Sequence, residues 1–214
     1  MRDAYHEELD SLTNKLVLMT TLVRSAISRA TTALLDSDLQ IAESVISRDA
    51  EVNATFEEIE TSIFELMARQ QPVAVDLRMV ITALRMGTDL ERMGDLAVHV
   101  AKVARLRHPD TAIPPEVRPT ILQMGQIAET LVTKAGSCIA SQDVESALEL
   151  ESDDDAMDKL HRRLFRNILS KEWPHGVEPA IDITLIGRYY ERYADHAVRV
   201  AGDVVYLVTG ARPS

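Results

Sequence analysis

Cysteine occurs once in this chain of 214 residues, at Cys138. A single thiol excludes an internal disulfide and a cysteine metal cluster and agrees with a reducing compartment; its own role is that of a small apolar residue. Long apolar runs are missing too. None approaches the roughly 20 residues needed to cross a bilayer, and Met1-Arg2-Asp3-Ala4-Tyr5-His6-Glu7 lacks the apolar core of a signal peptide. The chain is therefore expected to stay in the cytoplasm and to meet a membrane only through partners. Basic residues are in deficit, 23 Lys and Arg against 34 Asp and Glu, for a net charge of −11. Binding nucleic acid demands a basic face that neutralises phosphates, so no nucleic-acid partner is expected; basic protein surfaces or metal cations fit better.

Glycine and proline are also few, eight of each, and they gather at a handful of joints. Between the joints, apolar residues recur at spacings of three and four with no competing strand alternation, which predicts an all-α fold. With 46% hydrophobic residues the chain can bury a substantial core. A first helix is expected from Asp3 to Leu35, and Asp36-Ser37-Asp38 stops it and caps a second from Leu39 to about Arg69. Pro72 suits the first turn of a third helix that continues to about Arg107. The proline-rich stretch between His108 and Pro115 breaks the chain. A second set of three follows: about Glu116 to Ala140, Val144 to about Lys171, and about Pro179 to Val208 before Gly210, with a frayed tail to Ser214. The expected organisation is two tandem three-helix bundles, residues 1–108 and 116–214, joined by a linker over 109–115.

The two halves repeat one another. Glu91-Arg92-Met93-Gly94-Asp95 returns one hundred residues later as Glu191-Arg192-Tyr193-Ala194-Asp195, and each copy runs on into Ala-Val-x-Val-Ala. Asp49-Ala50-Glu51-Val52-Asn53 likewise corresponds to Asp154-Asp155-Ala156-Met157-Asp158. Repetition of this kind means one supersecondary unit built twice.

A helical wheel turns the repeat into a candidate site. At about 100° per residue, Glu91 sits on a line with Val80, Leu84, Gly87, Gly94, Val98 and Ala101, apolar or small everywhere else, and Asp95 points the same way one turn on. Glu191 and Asp195 repeat the arrangement, while Asp49 and Asn53, and Asp154 and Asp158, border the apolar stripes of the second and fifth helices. Arg78, Arg85, Arg92 and His99 mark the water side, and His99 and His196 read as surface histidines; His161 is the best-placed histidine. Carboxylates gathered unpaired repel one another and raise their pKa values unless a cation neutralises them. All-oxygen donors suit iron, manganese, magnesium or calcium, with zinc also compatible. The competing account is a solvated acidic face, or carboxylates that bind arginines of a partner. A di-iron carboxylate enzyme would need paired Glu-x-x-His motifs. The one such triplet with Glu, Glu172 to His175, spans Pro174 in a turn.

Gln71-Pro72-Val73-Ala74-Val75-Asp76-Leu77-Arg78 followed by Asp89-Leu90-Glu91-Arg92-Met93-Gly94-Asp95, with Tyr190-Glu191-Arg192-Tyr193-Ala194-Asp195-His196-Ala197, resembles the paired signatures of the PhoU family of phosphate-transport regulators, of an actinobacterial type. The Arg2 start and the two Asp-led segments of the second and fifth helices are similar to family positions as well. The resemblance implies a cytoplasmic, non-enzymatic negative regulator of phosphate uptake and phosphate-starvation signalling. Its partners would be the ATPase subunit of a phosphate ABC transporter, a sensor histidine kinase and a second copy in a homodimer. It also implies multinuclear iron or zinc at Asp49, Asn53, Glu91, Asp95, Asp154, Asp158, Glu191 and Asp195. The first half, with Asn53 in place of an anionic ligand, would bind more weakly.

Overall fold

Asp38 and Asp143, 105 residues apart in the repeat, open the second helix of each half in the same way. The Asp38 carboxylate accepts the Ile41 N–H at 2.9 Å, and the Asp143 carboxylate accepts those of Glu145 and Ser146 at 3.0 and 3.2 Å. Each cap pairs backbone donors that a helix start leaves unused. A left-handed residue precedes each, Ser37 and Gln142, both with φ of 53°.

The computed structural model describes residues 2–212, with side chains from residue 7 onward; Met1, Pro213 and Ser214, including the end of the tail expected to fray, lie outside it. Six helices result: α1 Arg2–Asp36, α2 Leu39–Gln70, α3 Val75–Arg107, α4 Arg118–Ser141, α5 Val144–Ile168 and α6 Val177–Thr209. Among the described residues there is no strand, and no helix is long and apolar enough to cross a membrane.

α6 begins at Val177, two residues before the expected Pro179, and three other boundaries differ from expectation for identifiable reasons. Pro72 lies in a non-helical link between α2 and α3 rather than in the first turn of α3. A residue before proline is pushed out of the α region, and Gln71 takes φ 46° while its N–H caps the Met67 carbonyl. Ala74, with φ 51°, then reverses the chain into α3. At the start of α4, Glu116 and Val117 form a turn on the Pro114 carbonyl, and helix begins at Arg118 with Pro119 in the first turn. α5 stops at Ile168 instead of Lys171, because the following segment folds into a turn closed by the Trp173 indole N–H on the Gly176 carbonyl at 2.7 Å. Gly210 ends α6 with φ 78°, the left-handed cap its position suggested.

Each half is a three-helix unit, α1-α2-α3 and α4-α5-α6, but their cores are not separate. α1 packs on α4 and α3 on α6, so α1, α3, α6 and α4 close a ring, with α2 flanking α1 and α3 and α5 flanking α4 and α6. A continuous apolar cluster runs through all six, with Met19, Ile27, Leu90, Met93, Ile121, Tyr190 and Tyr193 fully buried. Cys138 is buried within it.

The α1–α4 contact is close because glycines face threonines. A Cβ placed on Gly125 would stand 2.7 Å from Thr31 Cγ2, and one on Gly136 would stand 2.5 Å from Thr20 Oγ1. Thr20 and Thr31 occupy in α1 the places of Gly125 and Gly136 in α4, so the two contacts exchange under the repeat. α3 and α6 run antiparallel: Arg78 reaches the Tyr206 carbonyl at one end, and Arg107 grips Asp182 at the other with contacts of 2.6 and 3.1 Å.

Candidate functional site

The line of small residues on α3 faces α2. A Cβ on Gly87 would stand 3.0 Å from the Phe56 ring, and one on Gly94 would stand 3.1 Å from Asp49 Oδ1 and 3.2 Å from Val52. Glu91 lies between these two glycines, which puts it at the seam where α2 meets α3. In the second half the Leu164 and His161 side chains rest on Gly187 in the same way, one turn before Glu191 on α6. The eight sequence-derived positions thus fall into two seams: Asp49, Asn53, Glu91 and Asp95 between α2 and α3, and Asp154, Asp158, Glu191 and Asp195 between α5 and α6.

Electrostatics shows how closely each set is gathered. The Asp49 carboxyl is pushed above its ordinary value by burial and then by Asp95, against a hydrogen bond from Asn53 and the charge of Lys102. Glu91 is raised by burial, then by Asp95. Across the second seam, Asp154 is pushed up to about 6 by burial, then by Asp195, Asp158, Glu191 and Asp155. Glu191 is raised by burial and Asp195, with Arg188 opposing. Each seam therefore holds carboxylates from two helices within reach of one another's fields, as the wheel implied.

The two seams are not chemically equivalent. In the first, Asn53 Nδ2 donates to Asp49 Oδ2 at 3.2 Å, so the amide that replaces an acid also supplies Asp49 with a donor. Lys102 adds positive charge there, where the second half has Gly202. In the second seam Asp158 occupies the Asn53 place and gives Asp154 no donor. Asp154 Oδ1 and His161 Nε2 are both buried without a hydrogen-bond partner. Burial and the neighbouring Arg188 push the His161 ring below its ordinary value, against Asp158 and Asp195, which favours the neutral ring with its one unprotonated nitrogen.

Several carboxylates are partnered by arginines of their own helix. Arg92 holds Asp95 at 2.8 Å and Glu91 at 3.6 Å, Arg188 holds Glu191, and Arg162 reaches Asp158 at 3.4 Å. Asp158 is exposed and stands at the rim. Among the described residues, no three His, Cys, Asp or Glu side chains stand so as to close on a metal ion. The fit to a cation is thus one of donor chemistry, strongest where an orphaned Asp154 oxygen and an orphaned His161 nitrogen lie buried in the second seam. His175, the other half of the Glu-x-x-His spacing, instead hydrogen-bonds Glu116 in the turn before α4.

One region escaped the sequence reading. His196 is buried, not at the surface, and its Nδ1 meets Asp89 Oδ1 at 2.6 Å across α3 and α6. Arg85 faces Asp203 at 3.9 Å, and the exposed His99 ring stacks on Tyr189 with centroids 5.2 Å apart. Arg85 and His99 are exposed as expected, but with Arg78 they also line the edge of the α3–α6 contact, whereas Arg92 stays with Asp95 on its own helix. Opposite charges at matching antiparallel positions, Arg85 with Asp203 and Arg107 with Asp182, were the available signal.

The PhoU domain model matches this chain twice, over residues 16–104 and 121–204, one match in each half. The phosphate-specific transport system accessory protein PhoU homolog 2 of Mycobacterium tuberculosis is 48% identical over the full length of both chains. The crystal structure of PhoU from Pseudomonas aeruginosa superposes with a TM-score of 0.89 at 29% identity, covering 97% of this chain and 100% of the other. That of the phosphate transport system regulatory protein PhoU from Streptococcus pneumoniae gives 0.88 at 26% identity, over 98% and 99%.

Proposed function

The chain belongs to the PhoU family, and from that premise we propose that it is a cytoplasmic accessory protein of a phosphate-specific transport system that represses phosphate uptake and phosphate-starvation signalling. In this reading it has no catalytic activity of its own. It couples the ATPase subunit of the importer to a sensor histidine kinase by binding both, and works as a homodimer. The observation that carries the reading is the full-length match to a relative named as a phosphate-specific transport system accessory protein. Both carboxylate signatures stand at corresponding places in the two halves, which supports it.

The test is deletion of the gene in its own cell, followed by phosphate uptake and a starvation-promoter reporter in phosphate-rich medium. Uptake and reporter should stay high without the protein and fall when it is restored. Unchanged uptake, together with failure of the importer ATPase and the kinase to co-purify with the chain, would refute the reading.

We further propose that the second seam holds a cation, with Asp154, Asp158, Glu191 and Asp195 as donors, and that the Asp49, Asn53, Glu91 and Asp95 seam holds one more weakly. Iron or zinc are the first candidates; manganese, magnesium and calcium share the oxygen-donor chemistry. A bound cation would neutralise the carboxylates that now repel one another and tie α5 to α6. Metal analysis of protein purified without chelators, with calorimetric titration of zinc or iron, should show binding that is lost in Asp154→Asn with Glu191→Gln. A metal-free protein that takes up neither ion would favour the second reading, which the arginine contacts support: the carboxylates exchange their own arginines for those of a partner.

A further inference from the structure

The outer groove between α4 and α5 is lined by Lys159, Arg163 and Arg166 along one wall and by Gln123, Gln126 and Thr130 along the other, over a floor of Ile127, Leu160 and Ala156. Its volume is about 520 Å³. The three cations are exposed, and among the described residues none makes an ion pair or a side-chain hydrogen bond. Their neighbour Arg162, one residue from Arg163, holds Asp158, so the three stand free of carboxylates on a helix that carries many. Spaced by four and three residues, the three fall on one face of α5.

The repeat supplies a control. The residues of α2 that correspond to Lys159, Arg163 and Arg166 are Ala54, Glu58 and Thr61, and those of α1 that correspond to Gln123, Gln126 and Thr130 are Leu18, Thr21 and Ser25. The same helix pair in the first half carries no basic wall, and Glu58 faces Lys15 at 3.5 Å. Helix packing, which both halves share, therefore does not require the three cations.

We infer that the α4–α5 groove is a docking site for an acidic amphipathic helix of a partner protein. Three cations along one wall select carboxylates. Ile127 and Leu160 offer an apolar floor that a bare anion would leave unused, and the glutamines add neutral hydrogen bonding. From Ala156 to Arg166 the wall is about 15 Å long at 1.5 Å per residue, room for about three turns of a docked helix. The inference goes beyond the phosphate reading, and the test below does not depend on it.

The probe is a fluorescent synthetic 18-residue helix with glutamates on one face and leucines on the other, read by anisotropy against the full-length protein at low salt. It should bind, and a glutamate helix without leucines should bind less tightly. Arg163→Glu with Arg166→Glu should weaken the first probe about tenfold or more, with helix content by circular dichroism unchanged, while the lysine pair at the same positions keeps most of the affinity. Equal binding by wild type and the glutamate variant would overturn the proposal. Inorganic polyphosphate displacing the probe while the leucines contribute nothing would also overturn it, assigning the groove to phosphoanions. So would a wild-type dimer, seen by light scattering, that the glutamate variant splits, since the occupant would then be a second copy.

Discussion

The Tyr190 hydroxyl lies 2.6 Å from Thr31 Oγ1, joining α6 to α1 through the middle of the molecule. Thr31 spends its single hydroxyl hydrogen on the Ile27 carbonyl at 2.8 Å, so Tyr190 is the donor. Burial raises the Tyr190 pKa, and the phenol stays protonated to serve in that role. Tyr190→Phe removes a buried neutral hydrogen bond and should lower stability by about 1 kcal/mol in urea unfolding. An unchanged midpoint would mean the contact contributes nothing.

Arg107 and Asp182 should couple strongly. Asp182 is buried and takes two contacts from Arg107, so Arg107→Ala strands a carboxylate out of water and should cost about 3 kcal/mol. Adding Asp182→Asn removes the stranded charge and should recover more than half of that loss. A double-mutant cycle in which the two effects simply add would contradict the pairing.

Gly136→Ala tests the α1–α4 approach. The added methyl would stand 2.5 Å from Thr20 Oγ1, and the strain, about 1–3 kcal/mol, should outweigh the roughly 1 kcal/mol that alanine gains over glycine inside a helix. Thr20→Ala in the same chain clears the space. Thermal melts should therefore show the double variant more stable than Gly136→Ala alone.

Asp203 sets a pH dependence. Burial pushes its carboxyl up to about 6 from an ordinary value of 3.8, with Arg85 and Arg212 opposing and Asp89 reinforcing. A raised carboxyl favours the folded state while it is protonated, so this contribution is present below about pH 4 and is lost as pH rises through 6. The two-unit shift corresponds to about 3 kcal/mol, and allowing for residual solvent screening at this seam leaves about 1–3 kcal/mol. Asp203→Asn should flatten that part of the stability profile between pH 4 and 7; an unaltered profile would rule the group out.

Much of the fold could be read in advance because several helix ends carry their own caps. Asp38, Asp143 and Gly210 cap where their chemistry predicts, and the Glu91 and Glu191 lines do face α2 and α5. What was missed at the α3–α6 contact has one cause. Periodicity reports that a face is covered but not by what, so α3, with its stripe toward α1 and its second line toward α2, gave no sign of a third neighbour. For that reason His196 read as a surface group, although the α3–α6 contact buries it; Arg85 and His99 are exposed as expected, yet both border α6. Pro72 misled for a local reason, since proline suits both a first helical turn and the link before it. In the candidate site, the eight positions could be found from the repeat. The donor from Asn53 to Asp49 and the orphaned Asp154 oxygen could not, because they depend on rotamers.

The ring of α1, α3, α6 and α4 sets a hazard during synthesis. When the first repeat has left the ribosome, the strips of α1 and α3 that will meet α4 and α6 are bare, and roughly a hundred residues must still be made before Thr209 arrives. At ~5–20 residues per second that interval is about 5–20 s, long beside the time in which helices form and collapse. Any other nascent chain at the same stage shows the same bare strips, on a unit built to the pattern of the half still missing. The mispairing to expect on a crowded polysome is therefore first repeat with first repeat, a swapped pair held by the surfaces that later seal each molecule to itself.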